Sequence, residues 1–404
     1  MKQAILIKSR ISKKQVLNFA FFLFFLVATN CDWRASGIFW WGSVLVVIAA
    51  YVAENNGKFR FQLNGFSVWW IIFILVCTFS AAIAIKPGIV LSVLKTLIVL
   101  AVITFLMCSG IHSEADIKKY LSSMTLAISV NLLYVLLTKD LEQFQLAQHG
   151  WGNTGRWNGN ELGMMAAIIV PFLLYFIFDE KKWRLLNILV IPVACYIVYV
   201  TASRKAFMIL ILGVCGYIML RKPKKLIRNL CIVTIFAALV LYAVIEVPVL
   251  YEAIGWRIEG MLALATGEGG VDSSAALRMR YINLGIEAFK SSPILGYGID
   301  NYRILNGIAT GHTTYSHNNF IEILVGIGFV GFIAYYWIYL VIVPKYIRIL
   351  FSGCSSMLLN VLAIVFGLYL LMHVGVVAYY DFIQVFLVLV MYYMVTKFEK
   401  GVTR

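Results

Sequence analysis

Charge is what this sequence has least of. Asp, Glu, Lys and Arg make up 13% of its 404 residues, about half the share of an ordinary soluble domain. Acidic residues are the scarcer sign, 19 against 34 basic ones. The seven cysteines (31, 77, 108, 195, 215, 231 and 354) lie mostly inside apolar runs and form no Cys-x-x-Cys pair. Neither a disulfide framework nor a zinc site follows from them, and they read as small apolar residues. No Walker loop, dinucleotide fingerprint, HExxH or GxSxG is present, so ATP hydrolysis, NAD chemistry and zinc proteolysis have no support. A net charge of +15 has the right sign for nucleic acid. The cations, however, sit between apolar runs rather than on one amphipathic face, which is how topology signals are placed.

Apolar residues fill the space that charge leaves. They are 62% of the chain, aromatics are 15%, and the mean hydropathy is +0.87. This composition excludes a free-standing cytosolic enzyme and a secreted disulfide scaffold. It indicates an all-α polytopic membrane protein, with residues 1–404 as one integral membrane domain. A crossing helix needs about 20 apolar residues, with a working range near 17–25. Twelve transmembrane helices are expected, at 16–31, 37–53, 66–85, 88–111, 117–138, 161–178, 185–200, 205–220, 226–246, 318–342, 355–377 and 382–396. The run from Val16 is too long for a signal h-region, and Asn30 is too large for the residue before a lipoprotein cysteine. It is read as a retained first span. The break near 201–204 is the slightest, and a single helix there would move every later loop to the other side.

With the N-terminus inside, 22 of the 34 Lys and Arg fall on inside segments and 11 on outside segments, while Lys95 lies within the fourth span. The positive-inside rule therefore puts both termini in the cytoplasm. Two outside segments are long. One is 139–160, with His149, Trp151, Arg156 and Trp157. The other is 247–317, between spans nine and ten, and connections of that length are usually functional. Within the second, Asp272-Ser-Ser offers an N-cap, and Leu277, Tyr281, Leu284 and Ala288 fall on one stripe. A helix over 275–291 is expected, lying against the membrane surface or the bundle.

Candidate chemistry concentrates on the outer side. Thr201-Ala-Ser-Arg204-Lys205 puts two cations where the positive-inside bias disfavours them. They either snorkel to headgroups or pair with a phosphate at membrane level, as a guanidinium does bidentately. Arg156 and Arg278 have the same capacity. Arg280, two positions from Arg278, points to the opposite face of a helix. His317, in Tyr315-Ser-His-Asn-Asn-Phe-Ile-Glu322, meets both water and the membrane surface and titrates where proton transfer is easy. It is otherwise a polar boundary residue. Asn318 and Glu322, at i and i+4, are candidates to orient it. His312 and His373 are the other histidines nearby. Glycines 326, 328 and 331 permit close helix approach. Asp32, in the first outer loop, has no second acidic residue beside it with which to complete a metal site.

Taken in order, Ser203-Arg204, Arg278 seven residues before Gly285, Pro293-Ile-Leu-Gly-Tyr-Gly298, His317-Asn318-Asn319 and Gly326-Ile-Gly328-Phe-Val-Gly331 resemble the O-antigen ligase and polymerase superfamily. The resemblance covers about 200–340 in motif and the whole chain in topology. It implies a bacterial inner-membrane glycosyltransferase, similar to GT-C enzymes, with its site on the outer face and neither metal nor cofactor. Arg204 and Arg278 would bind the donor pyrophosphate and His317 would be the general base. Arg156 matches less closely, because the usual Asn-Pro-Asn is replaced by Asn158-Gly-Asn-Glu161.

The donor implied is an undecaprenyl-pyrophosphate-linked glycan. A polymerase transfers it to another repeat unit, building O-antigen, capsule or exopolysaccharide. A ligase transfers it to lipid A-core or another surface acceptor, as in lipopolysaccharide biosynthesis. Polymerase is the preferred reading. Membrane lipids and a chain-length regulator are expected partners, and nucleic acid is not. Aromatics such as Trp151, Trp157, Trp256 and Tyr297 either stack on sugars or anchor at the interface. From another class, a transporter or flippase of lipid-linked sugars would rely on Lys95 and His373 within the membrane, and would usually show an internal repeat, which this sequence lacks.

Overall fold

The computed structural model describes residues 12–148, 153–222, 225–256, 259 and 273–402. Among these the chain is helical, with no strand. The long helices among the described residues before the connection are α1 (Lys13–Ala28), α2 (Gly37–Glu54), α3 (Gly65–Phe79), α4 (Pro87–Gly110), α5 (Glu114–Thr138), α6 (Gly159–Phe178), α7 (Arg184–Val200), α8 (Arg204–Arg221) and α9 (Leu226–Glu246). The connection carries α10 (Ser273–Ser291) and α11 (Tyr302–Thr310), and α12 (Asn319–Phe351), α13 (Met357–Met372) and α14 (Phe382–Val402) follow it. A helix stands over each of the twelve apolar runs. Among the described residues, α2, α3, α4, α5, α6, α9 and α12 are long and apolar enough to cross a membrane. Helices α7 and α13 and the apolar part of α14 are shorter. The chain is a polytopic membrane protein.

Local chemistry sets where these helices begin. Ser12 and Gln15 form a reciprocal capping box at α1. Asn64, Asn158, Ser203 and Ser356 accept backbone N–H groups at the starts of α3, α6, α8 and α13, satisfying donors that a helix N-terminus otherwise leaves unpaired. The slight break at 201–203 is a real turn. Its three residues are buried, Ala202 adopts a left-handed φ of 45°, and α7 and α8 are separate helices. Helix α10 begins two residues before the expected start and ends where expected. Asp272 and Trp151 lie outside the described residues.

Aromatic side chains knit the bundle together. Phe24 and Phe25 of α1 meet Phe382 of α14 at ring centroids of 4.8 and 5.4 Å. Trp69 of α3 is fully buried and donates its indole N–H to the Tyr335 carbonyl of α12 at 2.8 Å. All seven cysteines are free thiols, of which Cys31, Cys77 and Cys108 are buried and Cys195, Cys231 and Cys354 face outward.

Helix α12 is 33 residues long and broken near its start, at Ile327 (φ −133°, ψ 18°) and Gly328 (φ 63°, ψ −165°). The 293–298 segment satisfies the backbone groups that the break releases. Tyr297 N–H donates to the Val325 carbonyl at 2.9 Å, and Phe329 and Val330 N–H donate to the Pro293 and Ile294 carbonyls at 2.8 and 3.3 Å. Gly326 and Gly328 thus receive a loop backbone, where helix-to-helix approach was the expectation, and Gly331 meets the Ile327 side chain of its own helix. A Cβ at Gly328 would lie 2.1 Å from the Ile294 carbonyl oxygen, and its φ/ψ pair is one that only glycine adopts readily. Gly328→Ala is expected to cost at least roughly 1–3 kcal/mol, read as a lowered melting temperature of the detergent-purified protein. An unchanged melting temperature would remove this account of the break.

Candidate functional site

A cavity of about 650 Å³ opens at one end of the bundle. Its walls come from the C-terminal ends of α1 and α13 and the N-terminal ends of α2, α6, α8 and α14, together with α4, α10 and the segment before α12. This is the end that the distribution of basic residues assigns to the outside. The deeper lining is apolar, with Leu100, Met164, Met165, Met372 and Ile383, while charged and polar groups gather around it.

His317 lines this cavity. It has a left-handed backbone, φ 55°, which is uncommon for any residue but glycine. Its neighbours over-determine that conformation. The backbone N–H of Ser316 donates to Glu322 Oε2 at 2.9 Å, and Ser316 Oγ lies 2.7 Å from the same oxygen and 2.8 Å from the Asn318 carbonyl. Glu322 is fully buried. The Asn318 side chain caps α12 by accepting from Phe320 and Ile321 N–H, and its amide nitrogen reaches the Val374 carbonyl at 3.3 Å. The imidazole lies 4.2 Å from the Tyr315 ring and stacks on Tyr281 at 6.1 Å.

Asn319 joins this segment to the opposite wall. Its backbone N–H donates to the His373 carbonyl at 2.8 Å, its side-chain oxygen accepts from Ala378 and Tyr379 N–H, and its amide nitrogen donates to Tyr336 Oη at 2.9 Å. His373 is buried at the end of α13, with Nδ1 3.1 Å from Tyr336 Oη.

Among the described residues, three cations line the cavity with His317: Arg34, and the two whose charge acts on the imidazole, Lys205 and Arg278. Lys205 Nζ hydrogen-bonds the Gly375 carbonyl, and Arg278 is half-buried. Arg280 is exposed, as its offset of two positions requires. The spacing of Arg278 from Gly285 is two helical turns, which places both on one face. At Gly285 an added Cβ would stand 2.2 Å from the Ile321 side chain, so α10 presses its glycine on α12 and turns Arg278 toward the cavity. Burial, and then the positive charges of Arg278 and Lys205, push the His317 imidazole down to about 4. It is therefore neutral at pH 7. The depressed value also means that unfolding takes up a proton below pH 6.5, so this group's contribution to stability is lost as pH falls from there through 4.

Other sequence-based expectations come apart. Arg204 is not among the residues lining the cavity, and its neighbour Lys205 is. Arg156 is exposed on its loop and does not line the cavity either, because the polar contribution of that stretch comes from Asn158, Asn160 and Glu161. Asp32 is engaged elsewhere, with Lys139 Nζ at 2.5 Å, Trp157 Nε1 at 3.1 Å and Tyr134 Oη at 3.4 Å. Burial works to raise its carboxyl, but those three partners outweigh it and hold the group below the usual carboxylate range. Trp157 is accordingly buried under Asp32 and presents no face for a sugar. Tyr297 packs on the Tyr281, Tyr302 and Val325 cluster.

Sequence reasoning passed over three lining residues. Arg34 and Glu161 form an ion pair at 2.8 Å, and Asp381 accepts the Gln384 N–H at 2.9 Å just before α14. The one signal for Asp381 was an acidic residue immediately ahead of an apolar run, which marks a helix start and nothing more.

Asn319→Ala would strand the buried N–H groups of Ala378 and Tyr379. The expected cost is on the order of 1–3 kcal/mol, measured as a loss of thermal stability in detergent. A substitution that leaves the melting temperature in place would show that the 373–381 wall is held by something else.

No curated protein matches the chain. Residues 188–336 match the family described as O-antigen ligase. The matched stretch runs from α7 into α12 and contains Lys205, Arg278, Gly285 and His317. This part of the chain, from within α7 to beyond the break in α12, is similar to the O-antigen ligase family.

Proposed function

We propose that the protein is a glycosyltransferase that polymerises undecaprenyl-pyrophosphate-linked repeat units into a surface polysaccharide. The observation that carries this reading is the convergence of neutral His317 with Arg278 and Lys205 in one cavity at the bundle end. An acceptor hydroxyl oxygen attacks the anomeric carbon of the donor, and the bond from that carbon to the pyrophosphate oxygen breaks. Undecaprenyl pyrophosphate departs with the bonding pair, His317 takes the hydroxyl proton, and the configuration inverts. Arg278 and Lys205 hold the pyrophosphate and offset the charge that grows on it, which is how fixed cations lower such a barrier. Arg204 adds positive charge from the same helix start, and Arg156 is a contact on the rim. Asn318 and Glu322 position His317. Neither metal nor cofactor enters this scheme.

In the same reading the chain crosses a bacterial inner membrane twelve times, with both termini cytoplasmic and the cavity facing out. The ligase alternative is favoured by the family's own description and differs only in the acceptor, lipid A-core or another surface anchor in place of a second repeat unit. The two residues on which a transporter would rely are placed apart from any shared path: Lys95 is exposed on the outside of α4, and His373 is buried at the end of α13 against Tyr336.

Gels of lipid-linked and surface glycans from a deletion strain test the reading. Single repeat units indicate a polymerase, and long chains stranded on the carrier lipid indicate a ligase. Complementation with His317→Ala should lower glycan formation by about 10²–10⁴-fold, and Arg278→Ala by about 10²–10³-fold. Full restoration by His317→Ala overturns the base assignment.

The pH dependence provides a second test. In the free protein the two cations help to depress His317. A bound pyrophosphate compensates them, so the imidazole becomes more basic in the complex. The acid limb of kcat/KM reports the free protein and that of kcat the complex. The limb of kcat is therefore expected at the higher pH, and coincident limbs would contradict the clamp.

A further inference from the structure

The cavity has a second charged side, chemically unlike the first. Arg34 and Glu161 pair across it at 2.8 Å, and Asp381 lines the same side. Burial first, then the negative charge of Glu161, push the Asp381 carboxyl up, while Arg34 and the N–H groups of Gln384 and Ile383 pull it down. With Arg34 committed to Glu161, this side has one more carboxyl group than it has guanidinium groups. That is the wrong chemistry for a pyrophosphate, which the Lys205 and Arg278 side already suits. The two sides meet at Tyr315. Its ring touches the His317 imidazole at 4.2 Å, and Glu161 is the charge that acts most strongly on its phenol.

We propose that the side of the cavity formed by Glu161, Asp381 and Asn158 is a subsite for an uncharged saccharide ring, held so that one of its bonds is worked on beside His317. The proposal rests on the glycosyl-transfer reading above. A carboxylate accepts at two oxygens, and the Asn158 amide nitrogen donates while its oxygen caps α6, which together match adjacent hydroxyls on a ring. Trp40 and Tyr380 line the same cavity and supply aromatic surface. An acidic sugar is disfavoured, because it would bring a third carboxylate to a place with a single, already paired guanidinium, and uncompensated like charge is how sites reject wrong ligands. The ring has two sources, the first sugar of the donor or the sugar of the acceptor, and the recognition chemistry is the same for both.

The test uses the full-length protein in detergent with two probes, undecaprenyl pyrophosphate alone and undecaprenyl pyrophosphate bearing one N-acetylglucosamine. Thermal shift is read for the wild type, Asp381→Asn and Glu161→Gln. Asparagine keeps a helix-capping oxygen at 381, and the ligand-free melting temperature shows whether either variant has lost its fold. For a donor sugar, the sugar-bearing probe shifts the wild type further than the bare lipid. Both variants then keep the bare-lipid shift and lose the increment. For an acceptor sugar, the variants keep every lipid shift, while surface glycan in the complemented deletion strain falls at least tenfold. Variants that keep all shifts and full glycan overturn the subsite. A wild type that does not respond to the bare lipid overturns the pyrophosphate reading itself, a separate failure.

Discussion

A helix inside a membrane cannot leave backbone groups unpaired, because the hydrocarbon offers nothing to bond them. The break in α12 at Ile327 and Gly328 is tolerable only because the backbone of 293–298 supplies the missing donor and acceptors. This mutual satisfaction fixes more than the helix. It holds the connection from α10 and α11 against the bundle, and the same connection is tied to the turn before α4, where Lys86 N–H reaches Asn301 and Ile85 N–H reaches the Tyr297 carbonyl. The short first piece of α12 becomes an independent strut that carries Asn319 and Glu322 into the cavity wall.

Upon that strut the polar residues act as rigging. Glu322 reaches back to Ser316, Asn318 caps the helix, and Asn319 grips the 373–381 segment. None of these side chains need touch a substrate for the imidazole of His317 to depend on them. Their burial makes the arrangement stiff, since a displaced partner would leave a polar group without water to replace it. Stored backbone strain at His317 is supported by the same bonds, which is the usual condition under which a left-handed residue persists.

The helices were legible because apolar runs and caps are local signals. Even the turn at 201–203 could be read from two short runs and an intervening serine. His317 and Arg278 were legible through ordered motifs, and their convergence follows from the fold. The choice of Lys205 over Arg204 at the cavity was not, because adjacent helical positions differ by about 100° and only the packing of α8 says which one faces in. The engagement of Asp32 was not legible for a related reason. Its role depends on Lys139 and Trp157, more than a hundred residues away in sequence, and no spacing rule connects them. The sequence likewise gave no hint that Gly326 and Gly328 receive a loop, since glycine marks close approach without naming what approaches.

The placement of two cations beside the histidine has a consequence for water. An imidazole held at about 4 is a feeble proton acceptor while the cavity holds only solvent, and its basicity returns when an anion occupies the neighbouring cations. In the glycosyl-transfer reading, an activated linkage is thus met by a competent base only once its own phosphates have switched that base on. In that reading, solvent that enters before the donor meets a base too weak to activate it, and the order of arrival is what limits wasteful hydrolysis.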